Sequence, residues 1–139
     1  MNKKIFNFSN TYFKLPRNFY EIIKPEPVLN PTLIEYNSKL SEFLNIDPKL
    51  INSENGKQLF SGNIIPDGAN PIAMVYAGHQ FGNFVPRLGD GRAVLLGELI
   101  SKDGRRYDFQ LKSSGKTKFS RQGDGRSPLG PLIREFLLS

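Results

Sequence analysis

The sequence contains no cysteine and a single histidine, His79. The first absence excludes disulfides, thiolate catalysis and any cysteine-ligated zinc site. The second excludes a histidine-rich metal centre within the chain. No run approaches the roughly 20 apolar residues that a membrane-spanning helix requires. The opening MNKKIFNFSNTYFKLP is basic at its start but has no continuous apolar region and no small-residue cleavage site. No secretory signal is expected, and a cytoplasmic protein without a membrane partner is. What remains is 139 residues, 38% hydrophobic, with 11 Phe and 5 Tyr. That suffices for one modest core.

The net charge of +6 is unevenly placed. Between Ser101 and Arg126 stand eight basic residues (Lys102, Arg105, Arg106, Lys112, Lys116, Lys118, Arg121 and Arg126) against three acids, Asp103, Asp108 and Asp124. Such a local field attracts anions, either a nucleotide or a nucleic-acid backbone, and charge alone does not separate the two.

Residues 1–29, broken by Pro16, Pro25 and Pro27, read as an extended arm; Phe13, Leu15, Phe19, Tyr20, Ile22 and Ile23 imply that it packs along the domain. Asn30-Pro31 is a helix-start signal, and Leu33, Tyr36, Leu40, Phe43 and Leu44 recur at helical spacing, predicting a helix over 31–44. Asp47-Pro48 starts a second helix, kept short by the turn signal Asn55-Gly56. Residues 61–71 read as a loop and Ile72–Tyr76 as a buried strand. The glycine-rich segment from His79 to Gly91 is a connection, and His79 a turn histidine bonded to backbone. Ala93–Ile100 is the next strand, apolar except for Glu98. Asp103-Gly104 centres a hairpin turn. Arg106–Lys112 then alternates, with Tyr107, Phe109 and Leu111 on one face and Lys112 on the other. A polar loop over 113–128 leads into a last helix whose Leu132, Ile133, Phe136 and Leu137 form a stripe expected to be buried. The sequence stops two to three turns into that helix, and a truncation is expected.

Ser114-Gly115-Lys116-Thr117 mimics the end of a Walker loop, but the required first glycine is Gln110. The two Gly-Asp-Gly-Arg tetrapeptides, at 89–92 and 123–126, fail as dinucleotide fingerprints at Val94 and Pro128. What survives is an order of elements: strand, glycine-rich connection, strand, tight turn, strand ending in Lys112, helix bearing Glu135. That is the order of a protein-kinase small lobe, in which the lysine meets phosphates and the glutamate holds the lysine. Taken singly, Lys112 reads as a solvated strand-end lysine, Glu135 as a surface helix acid, and the tetrapeptides as plain Asp-Gly turns. The expected fold is α+β: a kinase-like small lobe (residues 61–139) of antiparallel sheet plus helix, preceded by a helical N-terminal arm (residues 1–60), with no large lobe.

The runs YAGHQFG, LGDGRA, LLGE and QLKSSGKTKFSRQGDGRSPLGPLIREF closely resemble the selenoprotein O family, also called YdiU or UPF0061. LFSGNIIPDGANP, and more loosely LPRNFY, extend the likeness over nearly the whole chain. The resemblance implies a kinase-like (pseudokinase) fold that transfers AMP from ATP to Ser, Thr or Tyr hydroxyls of protein substrates, with UMP transfer also described for the family. The nucleotide lies flipped, so that the α-phosphate is attacked. Matched by motif, Gly89, Gly91, Arg92, Lys112, Asp124 and Gly125 are nucleotide-binding positions, and Glu135 is the glutamate that pairs with the lysine. Arg87 departs from the family pattern, which has Gln there. The family's second lobe, with its aspartate base, its Asn and Asp ligands for Mg²⁺ or Mn²⁺, and its C-terminal selenocysteine or cysteine, has no counterpart here. No catalytic base and no metal ligand is therefore expected in this chain, which should bind nucleotide weakly without transferring AMP. The rival readings are a small basic nucleic-acid-binding module and an inactive product of a split gene. Against the first, the basic segment holds only Tyr107, Phe109 and Phe119 as aromatics, two of them on the apolar strand face.

Overall fold

The computed structural model describes residues 5–138. In chain order its elements are β1 (Tyr20–Ile22), α1 (Ser38–Phe43), α2 (Pro48–Ile51), α3 (Glu54–Phe60), β2 (Ile72–Met74), β3 (Gly78–Gln80), β4 (Asn83–Val85), β5 (Ala93–Ile100), β6 (Arg106–Lys112) and α4 (Leu129–Leu138). Two short 3-10 turns, Tyr12–Lys14 and Arg17–Phe19, precede β1. The architecture is α+β. Four antiparallel strands lie in the order β1-β2-β5-β6, and β3 and β4 form a separate hairpin.

Strand β5 is the spine of the molecule. Val94 to Leu99 are all buried, so both of its faces are covered, as its nearly unbroken apolar run predicts. Leu99 packs with Phe6, Ile46, Ile51 and Leu59; Leu95 packs with Tyr20 and Ile72; Val94 and Leu96 pack with Leu111. Truncating a leucine buried this completely to alanine typically costs about 2–5 kcal/mol. The Asp103-Gly104 turn joins β5 to β6 as predicted, with Gly104 at φ 77° and the Ser101 N–H donating to the Arg105 carbonyl at 3.0 Å.

The N-terminal segment joins this core rather than merely lying on it. β1 pairs with β2 in the register Tyr20↔Met74, and Phe8 bridges Leu99. The crossing point is Gly97, where a Cβ would stand 2.6 Å from both Phe8 Cδ1 and Asn10 Oδ1. Next to it the buried Glu98 carboxylate accepts the Thr11 and Tyr12 N–H groups, the latter at 2.7 Å, and the Thr11 hydroxyl at 2.6 Å. Arg106 approaches it at 3.5 Å. The one acid of β5 thus anchors the arm. Segments assigned from sequence to residues 1–60 and to 61–139 share one sheet and one core.

Four expectations are corrected. The helix predicted over 31–44 is confined to Ser38–Phe43. Asn30 has φ 47°, which is no N-cap geometry, whereas Asn37 accepts the Leu40 N–H at 3.0 Å and starts the helix there. Asn55-Gly56 is not a turn but the first turn of α3, capped by Ser53, whose hydroxyl accepts the Gly56 N–H at 3.0 Å. Glycine is needed at 56 because a Cβ would fall on the Leu50 carbonyl oxygen, so α2 and α3 approach through it. Where the segment from His79 to Gly91 is expected as a connection, residues 78–85 form the hairpin β3–β4, turned at Phe81 (φ 53°) and Gly82 (φ 77°). His79 lies in β3, its ring 5.3 Å from that of Phe84. Finally, the apolar stripe of α4 is not buried: Leu132 is half-covered, while Ile133, Phe136 and Leu137 are exposed. Periodicity marks an apolar face, but covering it takes a facing surface.

Candidate functional site

A cavity of about 820 Å³ opens between the ends of β5 and β6, the 88–92 loop and the 119–126 loop. Gly89, Gly91, Arg92, Lys112, Asp124 and Gly125 all line it. Both Gly-Asp-Gly-Arg tetrapeptides therefore meet at one place, although more than thirty positions of sequence separate them. Glu135 stands behind Lys112, its Oε2 2.6 Å from the Lys112 Nζ. The pair is about half exposed on each side, so it adds little to stability and much more to where the ammonium points. The Glu135 carboxyl is held below the usual glutamate range, first by the Lys112 hydrogen bond and charge and also by Arg92. Arg92, Lys112 and Glu135 thus form one charged group at the cavity's edge.

The two tetrapeptides are used differently. Asp124 is exposed, and its Oδ1 accepts the Arg126 N–H at 2.9 Å, a local Asx turn. Asp90 is only 5% exposed, with both carboxylate oxygens engaged. Its Oδ2 accepts the Met74 N–H at 3.0 Å and its Oδ1 accepts the Tyr76 hydroxyl at 3.0 Å. Burial raises the Asp90 carboxyl above the ordinary aspartate value, opposed by those two bonds. Tyr76 in turn is pushed up to about 12, chiefly by burial and then by the Asp90 charge. The backbone of the first loop is fastened to the second: the Thr117 hydroxyl donates to the Asp90 carbonyl, and the Ser120 hydroxyl to the Gly91 carbonyl at 2.5 Å.

The glycines have mainly packing reasons here. Gly89 (φ 63°) faces Phe119, whose Cγ a Cβ would meet at 2.6 Å, and its N–H donates to the Tyr76 carbonyl at 3.1 Å. That amide is committed to backbone. Gly125 (φ 72°) lies so close to Gly115 that a Cβ would fall on its carbonyl oxygen. Arg126 completes this crossing, donating to the Ser113 carbonyl at 2.9 Å and lying 3.5 Å from Glu26. The positive lining available to an anion comes from Arg92, Lys112, Arg121 and Arg126.

Sequence reasoning did not single out Asp90, Tyr76, Phe119, Ser120 or Asp108 as lining residues. For Asp108 the alternation of β6 was the available signal, since it places Asp108, Gln110 and Lys112 on one face. Burial and the facing Glu98 charge raise its carboxyl. Nothing local distinguishes Asp90 from Asp124. Among the described residues no three of His, Asp and Glu gather as a metal-binding group.

The site thus has the makings of an anion-holding cleft on a small α+β domain. The chain belongs to the protein adenylyltransferase SelO family, whose sequence profile matches residues 3–139. It is 54% identical over 134 residues to the protein nucleotidyltransferase YdiU of Rhodopseudomonas palustris (strain HaA2), covering 96% of this chain and 27% of that protein. With the protein of the same name from Alkalilimnicola ehrlichii it shares 53% over 135 residues, 97% of this chain and 27% of that one. The Rhizobium meliloti (strain 1021) protein nucleotidyltransferase YdiU gives 53% over 134 residues, with 96% and 27% covered. The chain spans about a quarter of the length of these curated relatives.

Proposed function

We propose that residues 61–139, with the arm that completes their sheet, form the nucleotide-binding small lobe of a kinase-like protein adenylyltransferase. In the complete reaction a Ser, Thr or Tyr hydroxyl oxygen of a protein substrate bonds to the α-phosphorus of ATP. The bridging bond to the β-phosphate breaks, pyrophosphate leaves, and the hydroxyl proton passes to a base outside this chain. The observation that carries this reading is the meeting of Gly89, Gly91, Arg92, Lys112, Asp124 and Gly125 around one cavity, with Glu135 on the lysine. Lys112 and Arg92 supply positive charge to a polyphosphate, Glu135 holds Lys112 in place, and the bonded loops keep the cleft open. Base and metal ligands would come from the remaining length seen in the relatives, so the chain alone binds ATP without transferring AMP.

Calorimetric titration with ATP tests the binding half. Lys112→Ala is expected to weaken it about tenfold, the scale of one charge-assisted contact; unchanged affinity would sink the assignment. Incorporation of label from α-labelled ATP into protein by the purified chain would overturn the inactivity half.

The basic segment is less suited to nucleic acid than its composition suggests. Six of its eight cations, Lys102, Arg105, Arg106, Lys112, Lys118 and Arg126, lie within 4 Å of a carboxylate. The charge is folded into local pairs rather than spread as a stripe.

A further inference from the structure

Beside the large cavity lies a smaller one of about 300 Å³, lined by Arg87, Leu88, Lys118, Phe119 and Arg121. Leu88, Phe119 and Arg121 line both, so these three residues form a common wall. Arg87 and Lys118 reach the same oxygen of Glu21, at 3.7 and 2.7 Å, which holds their charged ends together. Arg87 also lies 5.8 Å from the centre of the Phe119 ring. Arg121 donates to the neutral side-chain oxygen of Gln80 at 2.8 Å. Three cations therefore face one carboxylate, which leaves the pocket with an excess of two positive charges.

The shape of this excess selects its ligand. Two guanidinium forks and an ammonium around a small concavity match a compact, multiply charged anion with several acceptor oxygens. A nucleic-acid strand would need cations spread along a groove and a free aromatic face. The Phe119 ring instead packs on Gly89 and lies under Arg87. We propose that this pocket is a secondary binding site for a diphosphate or triphosphate group, reached from the nucleotide cavity past Phe119 and Arg121. The group is either free pyrophosphate or the terminal phosphates of a bound nucleotide. As a place for the leaving group of AMP transfer the pocket rests on the function proposed above; as an anion site it does not. Arg87, the departure from the family's glutamine, then becomes one of its three cations.

Inorganic pyrophosphate titrated calorimetrically into the 139-residue chain at low ionic strength is the direct test. Combining Arg87→Gln with Lys118→Gln, which line the small pocket and not the large one, should weaken it about tenfold or more, while Lys112→Ala should change it less than about threefold. No measurable binding would overturn the proposal. So would a loss in Lys112→Ala equal to or larger than that in the double variant, because the anion would then sit in the large cavity. A hexaglutamate peptide that binds more tightly than pyrophosphate and depends on Arg87 and Lys118 would overturn it in favour of an acidic protein segment. Should the double variant lose its wild-type circular dichroism, Arg87→Gln alone carries the same test, with about a threefold loss expected. If ATP does not bind but pyrophosphate does, with the stated dependence, the nucleotide reading falls and the anion site stands. ATP affinity unchanged by the double variant assigns the site to free pyrophosphate, and a parallel loss assigns it to terminal phosphates.

Discussion

Asp90 shows how much one side chain does at this site. Its carboxylate is buried yet accepts two hydrogen bonds, so its role is to tie the first glycine loop to β2 and to Tyr76. Asp90→Ala leaves the Met74 N–H without its acceptor, and urea denaturation should show a loss of about 1–3 kcal/mol. Asp90→Asn preserves the shape, with its oxygen accepting from Met74 and its amide donating to the Tyr76 oxygen; most of that loss should be avoided. The linked pH dependence has a definite sign. A folded tyrosine raised to about 12 contributes stability that is complete below its ordinary value of 10 and lost as pH rises through 12. Absorbance titration should resolve a phenol with a midpoint near 12 that Tyr76→Phe removes. Asp90→Asn should draw that midpoint back toward 10, because the carboxylate charge is one of its causes. For Asp90 itself the raised value means the opposite of the usual carboxylate: its neutral form is the one the fold favours, so its contribution declines as pH rises above about 4.

At the scale of elements, β5 and the segment 6–12 are the joint on which the rest depends. Glu98 receives three donors from Thr11 and Tyr12 and a fourth approach from Arg106. In Glu98→Gln one amide orientation sets NH₂ against the Thr11 and Tyr12 N–H groups, and the other sets it against Arg106. Either leaves donors facing donors. Faster hydrogen exchange over residues 6–12 is expected, with a global loss of about 1–3 kcal/mol; exchange identical to wild type would show that the arm is held without the Glu98 carboxylate, by Phe6, Phe8 and the Ser9 and Asn10 bonds. The same element logic explains the short α1: a helical repeat over 31–44 was legible, but Asn37 captures the Leu40 amide and sets the start.

At the scale of the whole molecule, the exposed face of α4 is the feature without a counterpart in the core. Leu137 is 73% exposed and Ile133 42%. The isolated chain is expected to bind a hydrophobic dye and to associate at high concentration, and Leu137→Lys with Ile133→Lys should reduce both in fluorescence and sedimentation measurements. Wild-type and doubly substituted chains that behave alike would show that this face is covered in solution. The same helix reaches the cavity's edge, where β6 delivers Lys112 to Glu135.

Sequence alone was enough for β5, β6 and the turn between them, because strand alternation, an apolar run and Asp-Gly are local signals. It was also enough to bring forward Lys112 and Glu135 and to show the family, since long shared runs survive without knowledge of contacts. It could not reveal the hairpin at 78–85, the helical setting of Gly56 or the arm's entry into the sheet, each of which depends on a surface supplied from elsewhere in the chain. The two Gly-Asp-Gly-Arg repeats make the division plain. They are identical in sequence, yet Asp124 closes its own turn while Asp90 is buried against Met74 and Tyr76. The same four residues receive different roles because burial and partners come from what the fold packs around them, and only the tertiary structure decides that.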